Sequence, residues 1–162
     1  MTRIVAFLLP LALLPCSPAP ATEPLHDLIS MEGKTGLLLP EKCCWVGLPP
    51  SEALDKAMLA ELGACSAIGG PVGKFALNGE ALTLISLDTC SGEVPLARIY
   101  PTLKGPIPAK WVSGEFRALL DPLCQDPRGV TVYGANVKLA VQAGRVVKAE
   151  SEPRDASACS EP

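Results

Sequence analysis

Hydrophobic and polar positions alternate over most of the chain at the period of β-strands, and only one stretch keeps the period of a helix. That stretch is residues 52–62. Ser51 stands where a helix cap is wanted, Pro49 and Pro50 precede it, Gly63 follows, and Leu54, Met58 and Leu62 recur on every fourth position. This spacing predicts one short helix with an apolar stripe turned to the core, and a Glu52–Lys56 pair one turn apart on its exposed side. Residues 72–77 and 81–87 flank Asn78-Gly79, the dipeptide best suited to a two-residue hairpin. Apolar residues on both faces of 81–87 mark it as a central strand. A second hairpin is predicted where Val137, Leu139 and Val141 alternate with polar residues, Ala143-Gly144 turns, and residues 145–149 return.

Residues 94–100, 110–119 and 129–133 read as further short strands, while residues 101–108, with Gly105 and three prolines, read as a loop. The fold class expected is α+β or mainly β: one short helix followed by an antiparallel meander of about five to seven strands, stabilised by disulfides. No internal repeat occurs; Ser91-Gly92-Glu93 and Ser113-Gly114-Glu115 share three residues but not their flanks.

The first residues follow a different logic. Arg3, an apolar run over 4–14 and the small residues Ala19 and Ala21 match an export signal cleaved after Ala21, and the run is too short to span a bilayer. A rival reading lipidates Cys16 and makes the protein an envelope lipoprotein; Pro15 suits that processing poorly. Residues 22–149 are then one domain, and residues 150–162 a polar tail.

Composition sharpens this picture in two places. Of 162 residues only 4% are aromatic, and after cleavage Trp45, Phe75, Tyr100, Trp111, Phe116 and Tyr133 alone remain to bulk out a core. The same cleavage removes one of seven cysteines and leaves an even set of candidates for disulfides: Cys43, Cys44, Cys65, Cys90, Cys124 and Cys159. Their pairing is open, except that Cys43 and Cys44 on an extended segment would point apart and choose different partners. The formal net charge of -3 gives no clustered basic surface for phosphates, so nucleic acid is not an expected partner.

Candidate chemistry is sparse. No Cys-x-x-Cys spacing supports a metal site, and the one histidine, His26, lies near the proposed new N-terminus, where order is least expected. Neither a nucleophile elbow nor a phosphate-cradling glycine loop is present, and Asp121 with Asp126 is a carboxylate pair more simply read as loop charge. The chain is therefore expected to be non-enzymatic, with neither cofactor nor metal. The most individual stretch is residues 110–117. On a regular strand Trp111, Ser113, Glu115 and Arg117 would share one face and form a recognition patch for a peptide or sugar. A bulge at Ser113-Gly114 would instead place Trp111 and Phe116 together in the core.

Taken in order, Phe75-Ala76-Leu77-Asn78-Gly79-Glu80-Ala81-Leu82-Thr83-Leu84, Trp111-Val112-Ser113-Gly114-Glu115-Phe116-Arg117, Tyr133, and Val141 with Gly144-Arg145-Val146-Val147 resemble a group of small exported bacterial proteins. These carry a Trp-x-Ser-Gly-x-[Leu/Phe]-Arg strand, a downstream Tyr and a closing Gly-x-Val-Val strand. The match covers residues 70–149 and departs from the group in the cysteines and the Pro-rich loop. It implies a β-rich exported domain and transfers no catalytic residue. Two functions fit: a periplasmic binding or inhibitory protein of the immunity type that meets a protein partner, or an envelope-associated structural protein anchored at Cys16.

Overall fold

The computed structural model describes residues 24–42, 44–64, 70–126, 128–152 and 159. The expected export signal, Cys16, Cys43 and Cys65 lie outside the described residues. Among the described residues the architecture is mostly β, with two helices and an antiparallel-rich sheet. In chain order the elements are β1 (Leu28–Met31), β2 (Lys34–Pro40), α1 (Glu52–Ala64), β3 (Val72–Asn78), β4 (Ala81–Thr89), β5 (Gly92–Val94), α2 (Leu96–Ile99), β6 (Ile107–Pro108), β7 (Gly114–Gln125), β8 (Thr131–Gln142) and β9 (Arg145–Glu152).

Strand order β3-β1-β2-β7-β8-β9-β4, with β3 also paired to β4, brings the sheet back on itself as a barrel. All described pairings are antiparallel except β1 with β3. That exception arises because α1 and its connectors carry the chain across between β2 and β3, as a parallel neighbour requires. Closure is thinnest between β4 and β9, where Ala81 opposite Arg145 is the one paired position and two further bonds, Leu82 N–H to Gly144 O and Val146 N–H to Glu80 O, hold the join.

Strand alternation builds the interior. Phe116, Ala118 and Leu120 of β7 face inward opposite Leu139 and Val137 of β8, and Ile29, Leu38, Phe75, Leu82 and Leu84 complete the same core. Burial of each large side chain contributes about 1.5 to 3 kcal/mol. In β4 a bulge opposite Lys74 and Phe75 skips Ile85, which stays exposed, so Leu84 and Leu87 can both be buried.

Helix α1 starts as its sequence predicts. The Ser51 hydroxyl accepts the Leu54 N–H at 3.0 Å and donates to Ile99 O, and Lys56 pairs with Glu52 at 2.7 Å. Its core stripe differs from the expected one: Leu54 is buried, but Met58 and Leu62 are 45% and 75% exposed. The covered line runs Leu54, Ala57, Glu61, because the Glu61 carboxylate turns inward to accept the Cys90 N–H at 2.7 Å.

Four other expectations are corrected in detail. Strands β1 and β2 precede the helix, and the pattern of 28–40 did not announce them. Residues 94–100 form a strand only to Val94; Pro95 then holds φ −61 and Leu96 and Ile99 turn into the core one helical turn apart. The first hairpin turns on Gly79-Glu80 rather than Asn78-Gly79, since Asn78 pairs with Ala81 and Gly79 takes the positive φ. Finally β9 continues past Ala149 to Glu152, into the segment expected as tail, because Glu152 finds Lys138 and Arg117 on neighbouring strands. The second hairpin turns on Ala143-Gly144 as read, with φ +47 and +75.

Cys124 on β7 is bonded to Cys159, closing a loop with a sequence separation of 35 and tying the far C-terminal segment to the barrel. A loop of that size is worth on the order of 3 to 4 kcal/mol. Cys90 is disulfide-bonded as well.

Candidate functional site

The four residues expected to share one strand face fall into two places. Strand β7 begins only at Gly114, whose φ of +137 bends the chain there, so Trp111 and Ser113 belong to the preceding loop while Glu115 and Arg117 stand on the barrel wall. The kink is where the bulge reading placed it, and Phe116 is buried as that reading wanted. Trp111 is not: it stays 36% exposed, because Val112 takes the inward position in the loop.

The loop over residues 109–113 is tied down along its length. The Trp111 indole donates to Gly47 O at 2.6 Å, the Gly144 N–H to Val112 O at 2.8 Å, and the Ala143 N–H to the Ser113 hydroxyl at 2.9 Å. Ala109 N–H reaches Leu82 O, and Val112 N–H closes back on Ala109 O. Gly144 is required at this junction, since a Cβ there would lie 2.5 Å from Ala109 O and the φ of +75 excludes most side chains. Beside the loop lies a cleft of about 670 Å³, floored by Ala81, Leu82, Pro108 and Ala109 and rimmed by Lys110 and the Arg145–Glu80 ion pair. Lys110 has no ion-pair partner among the described residues.

The connector between β2 and α1 supports that loop from beneath. Trp45 Nε1 donates to Leu25 O at 2.7 Å, Val46 N–H to the Asp27 carboxylate, Tyr100 hydroxyl to Pro49 O at 2.8 Å. Asp27 is 1% exposed and takes a second N–H, from Gly73 at 2.7 Å, with its other oxygen. Burial outweighs those two donors and pushes its carboxyl up to about 6. Burial likewise raises the Tyr100 phenol to about 12. The segment around His26, expected to be loose, is thus pinned on both sides of the histidine. Sequence reasoning passed over Asp27; an acid directly ahead of the apolar β1 was the one available signal.

On the wall, Arg117 stands 3.7 Å from Glu152, whose carboxylate also holds Lys138 at 2.7 Å and Asn136 at 2.6 Å. The bond from Lys138 chiefly keeps the Glu152 carboxyl below its ordinary range and the Lys138 ammonium above its own. Glu115 lines a shallow depression with Glu41, Lys138 and Lys148. This is a ladder of alternating sign in which Lys138 is held by Glu152 and Lys148 by Glu150.

Asp121 stands on β7 with a positive φ of 63, and Asp126 follows the end of that strand. Asp126 organises its own turn, accepting the Arg128 and Val130 N–H groups and the Arg128 guanidinium, whose bond holds its carboxyl low. Among the described residues no three His, Cys, Asp or Glu side chains converge to hold a metal ion, and no helix is long and apolar enough to cross a membrane. No protein-family model, curated protein or solved structure matches this chain.

Proposed function

We propose that this chain is an exported, non-catalytic binding or inhibitory protein whose contact surface is the loop at residues 109–113 with its adjoining cleft. The observation that carries the reading is a rigid loop that leaves its aromatic ring and its one uncompensated ammonium outward. Trp111 and Lys110 are exposed, yet the loop that carries them is bonded through backbone and side chains to three other parts of the protein: the connector at Gly47, strand β4 at Leu82, and the Ala143-Gly144 turn. Such a loop loses little conformational freedom on association, and exposed Trp is the residue type that most often anchors protein interfaces. The apolar floor with Lys110 and Arg145 at its rim suits a protein segment offering an apolar side chain beside a carboxylate. The Pro-rich stretch leading into the loop, residues 101–108, adds surface that is likewise cheap to order.

The test is capture of a 1:1 partner from the envelope of the source cell, followed by reconstitution from purified components. Trp111→Ala and Lys110→Glu are expected to weaken the reconstituted complex at least tenfold, and Glu115→Lys on the wall to leave it within about twofold. Loss on Glu115→Lys with retention in Trp111→Ala would place the contact on the wall and overturn the reading.

A further inference from the structure

Strand β9 is paired with β8 on both sides of a bulge at Val147, but on its other side it meets β4 and the turn before it only at Arg145 and Val146. From Val147 to Ser151 every residue is exposed, Val147 by 63%, and no strand of the described residues pairs with that edge. An open strand edge is a template for another strand, and its side chains decide which one can add.

Here the side chains are selective. Lys148 and Glu150 lie on the outer face of the barrel, opposite Ala140 and Lys138 of β8, while Ala149 lies on the other face. Consider a second β9 added antiparallel with both outer faces on the same side, as a continuous sheet demands. Opposed positions must then have the same parity. If Lys148 faced its own copy, two ammonium groups would oppose each other; if Glu150 faced its own copy, two carboxylates would, and Lys148 would face a Glu152 already held by Lys138, Arg117 and Asn136. The register between these sets Ala149 against Ala149 and Lys148 against Glu150, twice, by symmetry. Within one chain Lys148 and Glu150 already pair at 2.7 Å, so both side chains lie on the face where a second copy would meet them.

We infer that β9 is a homodimerisation edge, pairing antiparallel with β9 of a second copy about a two-fold axis at Ala149, with Lys148 and Glu150 of each chain matched to Glu150 and Lys148 of the other. The sheet then runs continuously from β7 of one protomer to β7 of its partner. Charges that repel in neighbouring registers fix this one, and they also turn away uncharged strands of other proteins. The inference rests on the β9 edge alone and is independent of the partner-binding loop.

Sedimentation equilibrium of the purified mature protein at concentrations up to about 0.5 mM reads it, a range that captures small interfaces. The wild type is expected to dimerise. Lys148→Glu and Glu150→Lys, each placing like charges opposite one another twice, are expected to raise the dimer dissociation constant at least tenfold. An equimolar mixture of the two variants restores complementary pairs and is expected to form a heterodimer within about threefold of the wild-type constant. Thermal melts matching the wild type show that each variant folds. A monomeric wild type, single variants that dimerise undiminished, or a mixture that stays monomeric would each overturn the inference.

Discussion

The connector and loop around Trp111 and the charged wall of β7, β8 and β9 use polar groups in opposite ways. In the first, side chains meet backbone atoms distant in sequence: buried or half-buried Asp27 with Val46 and Gly73 and Tyr100 with Pro49, and at the surface Trp111 with Gly47. On the wall, half-exposed side chains meet each other across strands: Glu152 with Lys138 and Arg117. Burial makes the Asp27 bonds above all costly to lose, because the abandoned N–H groups have no water to turn to. Partial exposure lets water compete for each pair on the wall. A position is therefore informative about function when its polar groups are fixed and its outer surface is still open, and that combination occurs at Trp111 and Lys110.

Substitutions can break this contrast. The largest effect is expected from Asp27→Ala, which strands two buried N–H groups; chemical denaturation should report a loss of about 3 to 4 kcal/mol. Gly144→Val, which would drive a side chain into Ala109 O and strain the turn, should cost about 2 to 4 kcal/mol and loosen the loop over residues 109–113 before the barrel. Asp27 also gives a pH signature. Its carboxyl sits at about 6 when folded against an ordinary value of 3.8, so the folded state holds the proton more tightly. Stability from this group is fully present below about pH 4, falls by about 2 to 3 kcal/mol as pH rises through about 6, and is flat above about pH 7. The slope should vanish in Asp27→Asn; a rise in stability over that window from this residue would contradict the assignment. Trp111→Phe, which keeps a ring and removes the bond to Gly47, should cost about 1 kcal/mol. Glu152→Gln on the wall should have the smallest effect, and one that fades with added salt.

The sequence made parts of this legible and concealed others for physical reasons. The Ala143-Gly144 hairpin and the Ser51 cap were readable because both are local: turn chemistry and a hydroxyl three residues from its target act within one stretch of chain. The mainly β architecture followed from alternation. Barrel closure did not, because the join of β4 to β9 is a few backbone bonds between residues 64 positions apart. Strand β1 was missed for a related reason: it is short, and its identity depends on the parallel pairing with β3. At the candidate site, residues 110–117 stood out in the sequence with two readings, one shared face by strand parity or a bulge at Ser113-Gly114. Strand β7 starts only at Gly114, with positive φ, and whether a glycine bends a strand or continues it depends on what packs behind it, here the Phe116 ring. Helix α1 shows the same limit: the spacing of Leu54, Met58 and Leu62 is apolar, yet the side packed on the barrel was chosen by a carboxylate that meets Cys90.

The central claim is that the loop beside Trp111 is ordered before any partner arrives, and native-state hydrogen exchange on the free protein tests it directly. The account predicts that the amides of Val112, bonded back to Ala109 within the loop, and of Ala143 and Gly144, bonded across to Ser113 and Val112, exchange with protection close to that of the β8 amides. Exchange of those three at the rate of an unstructured peptide, with β8 protected, would contradict it.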